Sequence, residues 1–291
     1  VRYGTTLNTN LQAICLDTLV PEPGQAYQPI RVLSYAIDAA IWGIDSPWAF
    51  HLTNLILHAT ATLLLFITVL RMLPLLRDSG RATDAKLALL VAALFAAHPI
   101  NVEAVAWVAS RKYVLLANFA FLAFYAYCRK GPKWRIAVPT ATLFAILSSP
   151  FGVVIPALLS LFEYCRAGTR EAKRLWPAWG VFLIMAPVLW WVLVSAGAHG
   201  ERVATSGETR ANLWTMLRCL FDYAQMLILP VGLNNKYVDL LQLGPGSLKV
   251  LLGIAGIAAL ATWVFREHRK GRRLPLFCTG WFFIAWAPVS N

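Results

Sequence analysis

The chain has 291 residues, of which 58% are hydrophobic and 14% are charged, and its mean hydropathy is +0.59. Soluble domains carry about a quarter charged residues, so this composition excludes an ordinary soluble domain and indicates a polytopic all-α membrane protein. The formal net charge of +12 does not indicate a nucleic-acid partner. The basic residues gather between apolar runs, as in cytoplasmic loops, and are not interleaved with aromatics on one face.

The first 47 residues are predicted to form an external loop with an interfacial helix. Residues 1–28 are polar and rich in turns, whereas 29–43 form an amphipathic stretch. The length of this stretch and its Trp42 suit a helix that lies in the membrane interface. The first clear membrane span is predicted at about 48–70, and the basic residues after it place the next loop in the cytoplasm.

Residues 48–291 are predicted to form a transmembrane bundle with about eight membrane segments. Apart from the first span, the apolar runs are 87–97, 113–128, 136–149, 151–164, 175–195, 248–264 and 275–289. The run 213–230 begins and ends outside and carries Arg218 and Asp222 four residues apart, so an in-plane or re-entrant helix is predicted there. Both termini are expected to be truncated.

A charged stretch from Ala97 to Tyr113 separates two apolar runs near the predicted outer face. Ionisable groups at membrane depth usually face the bundle interior or a wet cavity. The alternative is an interfacial connector whose charges extend to water. Pro99 is suited to the first turn of a helix, and a helix over 99–110 would place Trp107 and Arg111 on one stripe.

Three segments together resemble the bacterial membrane proteins related to protein O-mannosyltransferases, which often carry tetratricopeptide repeats. The segments are Tyr27–Asp38 with Trp42-Gly43 and His51–Ala59; His98–Val108 with Arg111-Lys112; and Gly280–Phe282 with Pro288-Val289. The resemblance covers most of 25–291. It implies a GT-C-like glycosyltransferase bundle in the bacterial inner membrane, with a polyprenyl-phosphate sugar as donor and an acceptor on the external side. No metal or other cofactor is expected.

The resemblance and the charge pattern together select six candidate site residues. The catalytic candidates are Glu103, Asp38 and His98, and the substrate-binding candidates are Arg111, Lys112 and Trp107. Arg111 and Lys112 suit the lipid phosphate, because one offers a bidentate fork and the other a compact charge. Structural alternatives stay open: headgroup anchoring for the two bases, an ion pair between Asp38 and a neighbour such as Arg31, and a helix-start hydrogen bond for His98.

The chain departs from the family pattern at three positions around the predicted cavity. Ser149 stands where a lysine usually precedes the proline, Ser110 where an acid usually precedes Arg-Lys, and Tyr113 where Asp or Asn often follows. The paired acids that follow the family's first span are expected to lie before Val1 or to be lost. Two functions therefore stay open: an active glycosyltransferase, or an inactive relative that serves as a scaffold among other membrane subunits.

Two further residue sets are predicted to be structural. His51 and His58 lie seven residues apart on the first span, short of a metal-site pattern, and are predicted to make polar contacts between helices. The five cysteines are scattered without metal-site spacing.

Overall fold

A computed structural model describes residues 27–77, 80–129, 131–168, 172–195, 209–230 and 246–287. Within these ranges the regular elements are all helical, which confirms the predicted all-α class. The chain divides into two compact units, residues 1–200 and 201–291. The predicted loop over 1–26 lies outside the described residues, and the proposed boundary after residue 47 stays a prediction.

The described part of the first unit contains eight α-helices. They are α1 (Pro29–Trp42), α2 (Pro47–Leu76), α3 (Arg81–Ala97), α4 (Val102–Ala106), α5 (Arg111–Tyr127), α6 (Pro132–Ser148), α7 (Ile155–Ala167) and α8 (Trp176–Ser195). Several begin with a proline in the first turn, where the missing N–H has no intrahelical partner to lose. The predicted interfacial helix over 29–43 is confirmed as a helix by α1.

The described part of the second unit contains three helices. They are α9 (Thr209–Ile228), α10 (Leu248–Arg269) and α11 (Leu274–Trp286). The predicted i,i+4 pair is present on α9, with Arg218 Nε 3.5 Å from Asp222 Oδ2. Lys249 on α10 also pairs with Asp222, at 2.7 Å, so one carboxylate links the two helices.

Three segments of the described chain are long and apolar enough to cross a membrane. They are Pro47–Leu76, Pro150–Ala167 and Leu248–Arg269. The helices 82–97 and 99–106 pass the same test only together, and they meet at a bend of 50°. The described helices therefore supply three candidate spans, or four if the bent pair is one span. The eight membrane segments predicted from the apolar runs stay a prediction.

Helix α5 lies at the centre of the first unit, where it packs against α2 and α6. Its Phe124 is fully buried and makes a T-shaped contact with Phe162 of α7, with ring centroids 6.2 Å apart. Asn118 donates to the backbone carbonyl of Leu57 on α2 at 2.9 Å. These contacts fix the position of α5, and therefore of Arg111 at its first turn.

The continuous helix over 99–110 considered from the sequence is interrupted at Trp107. The backbone of Trp107 is extended (φ −87°, ψ 111°) and separates α4 from a 3₁₀ turn at Val108–Ser110. Side chains from other helices donate hydrogen bonds to the backbone carbonyls near this interruption. Asn54 donates to Val105 O at 3.0 Å, and Tyr35 donates to Val108 O at 2.7 Å. A continuous helix would use the Val105 carbonyl internally, so these tertiary bonds replace helical ones.

Candidate functional site

Arg111 is enclosed by protein groups at the start of α5. It has no exposed surface, and Nη1 lies 2.6 Å from Asp38 Oδ2. Nε donates to Asn54 Oδ1 at 2.6 Å, and Nη2 donates to the Phe50 carbonyl at 2.8 Å. Because these groups surround the guanidinium, it is not open to a lipid phosphate. In this arrangement Arg111 joins α5 to α1 and α2, and the phosphate contact expected from the sequence stays a prediction.

Asp38 is the acidic partner of this buried cluster. It is 4% exposed, and its Oδ1 accepts a hydrogen bond from the Thr53 hydroxyl at 2.8 Å. The sequence offered Arg31 as one neighbour for this carboxylate, but the ion pair forms with Arg111. The two carboxylate oxygens therefore face the Thr53 hydroxyl and the Arg111 guanidinium. The catalytic role expected for Asp38 from the sequence stays a prediction.

Aromatic rings complete the enclosure of the guanidinium. Arg111 Cζ lies 4.6 Å from the centroid of the Tyr35 ring and 5.9 Å from that of Phe50. Stacking of this kind favours arginine over lysine, because the planar guanidinium matches the ring face. Tyr35 and Phe50 also line a neighbouring cavity, so the buried pair shapes the wall of that cavity.

The cavity has a volume of about 770 Å³ and lies between α1, the start of α2 and the segment 106–109. Its walls are mainly apolar and aromatic, and Trp107 contributes a side chain that is 52% exposed. Two polar side chains that the candidate set did not include, Arg31 and His51, also line it. An apolar space with a few polar groups is typical of a small-molecule or lipid site.

Arg31 supplies the cationic group of the cavity. Its Nε–H is buried and has no hydrogen-bond partner among the described residues. Buried donors are normally satisfied, so this group is suited to an anionic ligand. Arg31 is near enough to Lys112 that, together with partial burial, its charge lowers the pKa of Lys112 below the ordinary value of 10.5.

Glu103 is the exposed acid of the region. Its charge raises the pKa of Lys112 and so offsets part of the effect of burial and Arg31. Glu103 and Lys112 are therefore electrostatic neighbours, and their membership of one site stays a prediction. The break at Trp107 leaves Glu103 outside the buried cluster around Arg111, so the acid is open to a substrate.

The predicted histidines have separate environments. His98 Nδ1 accepts from the Ile100 N–H at 3.2 Å, which is the helix-start bond given above as its structural alternative. His58 Nε2 lies 3.3 Å from the Ala96 carbonyl of α3, which confirms a polar contact between helices. His51 instead lines the cavity.

The three departures from the family pattern lie in or beside packed structure. Ser110 and Ser149 are buried, and Ser149 Oγ has no hydrogen-bond partner among the described residues. Tyr113 stacks on Phe151, with ring centroids 6.2 Å apart. These contacts show where the uncharged side chains lie. All three side chains are uncharged, so none of them replaces a charge found there in the family pattern.

The sequence missed Asn54, which joins Arg111 to the Val105 carbonyl. An amide inside the predicted first span was the available signal, since polar groups in such spans usually have a specific partner. Arg31 and Tyr35 were within the motif segments, but nothing in the spacing showed that they face a cavity.

The fold and the cavity define a helical protein with candidate membrane spans and a site suited to an amphiphilic anion. The chain is similar to curated protein O-mannosyl-transferases, which confirms the predicted relation at this coarse level. Protein O-mannosyl-transferase TMTC1 of Mus musculus is 35% identical over 130 residues, 44% of this chain and 13% of that protein. Protein O-mannosyl-transferase Tmtc2 of Drosophila melanogaster is 38% identical over 110 residues, 38% of this chain and 11% of that protein.

A longer match is Protein O-mannosyl-transferase TMTC3 of Mus musculus, 29% identical over 166 residues, which are 55% of this chain and 17% of that protein. The chain thus spans less than a fifth of the length of these relatives. No known family's sequence profile matches the chain, and no solved structure matches it.

Proposed function

We propose that the chain is the membrane part of a glycosyltransferase that moves a sugar from a polyprenyl phosphate to a hydroxyl acceptor on the external side. The observation that carries this proposal is the similarity to protein O-mannosyl-transferases, at 35% identity over 130 residues. The proposed location is the bacterial cytoplasmic membrane, on the basis of the sequence resemblance.

The cavity beside α1 supports a lipid-linked donor. Apolar walls and the exposed face of Trp107 suit the first isoprene units, while Arg31 of the cavity wall suits the phosphate. Lys112 does not line the cavity, but its charge interacts with that of Arg31, so we propose that it also attracts the phosphate. Arginine and lysine charges near the membrane surface are a common means of holding anionic lipid headgroups. The ion pair between Arg111 and Asp38 holds α1, α2 and α5 together beside the cavity. In this proposal neither residue contacts the donor.

The proposed reaction displaces the lipid phosphate at the anomeric carbon. The acceptor hydroxyl oxygen forms a bond to C1 of the sugar while the bond between C1 and the phosphate oxygen breaks. The phosphate leaves with both electrons of that bond, and Arg31 and Lys112 stabilise its negative charge. Glu103 is the proposed general base for the hydroxyl proton, because it is exposed and close enough to influence Lys112.

A transfer assay tests this function. Purified full-length protein in lipid nanodiscs is incubated with radiolabelled polyprenyl-phosphate mannose and with acceptor peptides rich in serine and threonine. Label in the peptide supports the proposal, and Glu103→Gln should reduce the rate by at least about 100-fold, the usual scale of general base catalysis. Asp45→Asn, at an exposed acid on the turn before α2, is the matched control and should keep the rate.

The opposite outcome favours the scaffold function. Absence of donor binding and of transfer, with stoichiometric copurification of other membrane subunits, would overturn the enzyme proposal. Failure of Glu103→Gln to slow an otherwise active enzyme would reject only the assignment of the base.

A further inference from the structure

A second cavity lies at the other end of α5 and belongs to no part of the proposed reaction. Its volume is about 610 Å³, and its described lining carries four cationic side chains, two tryptophans and no carboxylate. These six are Arg129, Arg135, Lys173, Arg174, Trp134 and Trp176. Since α5 has 17 residues and rises 1.5 Å per residue, about 25 Å separates this basic cavity from the candidate active site.

Two aromatic rings hold the Arg129 guanidinium in this basic cavity. Its Cζ lies 4.9 Å from the Trp134 ring centroid and 5.5 Å from that of Tyr125. Its Nε–H is buried and has no hydrogen-bond partner among the described residues. Aromatic faces orient the guanidinium but do not satisfy its donors, so a ligand with strong acceptor oxygens fits here.

The acid Glu163 of α7 lies beside Tyr127 but does not line the cavity. Glu163 is buried, accepts a hydrogen bond from Tyr127 at 2.7 Å, and pairs with Arg166 at 2.6 Å. Its charge is therefore balanced by a base that does not line the cavity. Arg174 is held by the Tyr127 carbonyl, to which Nη2 donates at 3.0 Å, so its positive charge is positioned at the cavity wall.

We propose that this basic cavity is a binding site for a phosphate group, supplied by an anionic lipid such as phosphatidylglycerol or by a soluble phosphate. Arginine forks match phosphate oxygens, and tryptophans at the wall suit the glycerol and upper acyl region of a lipid. Basic pockets between helices are known sites for anionic headgroups. The proposal is independent of sugar transfer, because it uses none of the residues of the candidate active site.

The test is a lipid titration of the purified full-length protein followed by native mass spectrometry. Phosphatidylglycerol and phosphatidylcholine are compared as probes, and inorganic phosphate is added as a competitor. The test variant is Arg135→Gln with Lys173→Gln, because both side chains are exposed and their loss should not unfold the protein. The control is Lys86→Gln with Arg266→Gln, which removes the same charge from exposed positions outside the cavity.

We expect phosphatidylglycerol to bind more tightly than phosphatidylcholine, and the cavity variant to lose at least about tenfold in that affinity, since bonds to charged groups have large effects when lost. The control should stay within about twofold of the unmodified protein. Displacement by inorganic phosphate would identify a soluble phosphate as sufficient, and its absence would identify a lipid ligand. Equal binding of both lipids without displacement by inorganic phosphate, or equal losses in both variants, would overturn the proposal.

Discussion

Asp38 and Arg111 form a buried ion pair, with Oδ2 and Nη1 separated by 2.6 Å, that joins α1 to α5. Asn54 adds α2 to the same cluster through a 2.6 Å bond to Arg111. The consecutive helices α1 and α2 and the later helix α5 are thus held together by one guanidinium. The pair lies beside the candidate donor cavity, and it buries one catalytic candidate, Asp38, together with one substrate-binding candidate, Arg111.

Removing the guanidinium should destabilise the first unit strongly. Arg111→Gln leaves Asp38 buried without its counter-charge, and breaking a buried pair costs about 3–5 kcal/mol. Thermal unfolding in detergent, followed by the fluorescence of native tryptophans, should show a large drop in midpoint. The neighbouring change Lys112→Gln is the control and should cost less than about 1 kcal/mol. Similar losses in the two variants would contradict the structural role of Arg111.

Asn54→Ala should also destabilise the protein, but less. It removes bonds to Arg111 and to the Val105 carbonyl, and an unsatisfied buried group costs about 1–3 kcal/mol. Thr60→Ala on the same helix is the comparison, because Thr60 is exposed and its hydroxyl donates to the carbonyl of Ile56 one turn earlier. If hydrogen exchange in 105–110 does not increase in Asn54→Ala, the proposed cause of the helix break is wrong.

Two glycines of α10 should respond in opposite directions to alanine. A Cβ at Gly253 would lie 2.5 Å from the Leu217 carbonyl oxygen of α9, whereas one at Gly256 would meet nothing within 4 Å. Gly253→Ala should therefore cost about 1–3 kcal/mol through overpacking. Gly256→Ala should be neutral or stabilise by up to about 1 kcal/mol. Unfolding midpoints of the two variants decide this, and equal midpoints would reject the close approach of α9 and α10.

Donor binding should weaken at alkaline pH through Lys112. Partial burial and Arg31 lower the pKa of this ammonium group from 10.5, so its proton is lost earlier than usual as pH rises. The charge that attracts a phosphate disappears with it. Binding of a polyprenyl phosphate to the protein in nanodiscs, measured from pH 7 upward, should therefore decline at lower pH for the unmodified protein than for Lys112→Arg. Identical pH profiles would show that Lys112 does not contact the phosphate.

The sequence predicted the helices much better than the directions of their charged side chains. The amphipathic pattern of 29–43 and the apolar run of 48–70 located α1 and α2 because both signals are local. The break at Trp107 depends on Asn54 and Tyr35, which reach it from other helices, so no pattern within 97–113 could reveal it. Arg111 and Lys112 are adjacent in sequence, yet the fold buries one and leaves the other half-buried.

The position of the donor phosphate is the most direct test of the central claim, that the cavity lined by Arg31 and Trp107 holds a lipid-linked sugar. A cryo-electron microscopy structure of the full-length protein with polyprenyl-phosphate mannose in nanodiscs would measure it. We expect the phosphate oxygens within hydrogen-bond distance of Arg31 or Lys112, with Arg111 still paired to Asp38. A phosphate bound to Arg111 with the Asp38 pair broken, or a saturating donor that leaves the cavity empty, would contradict the account.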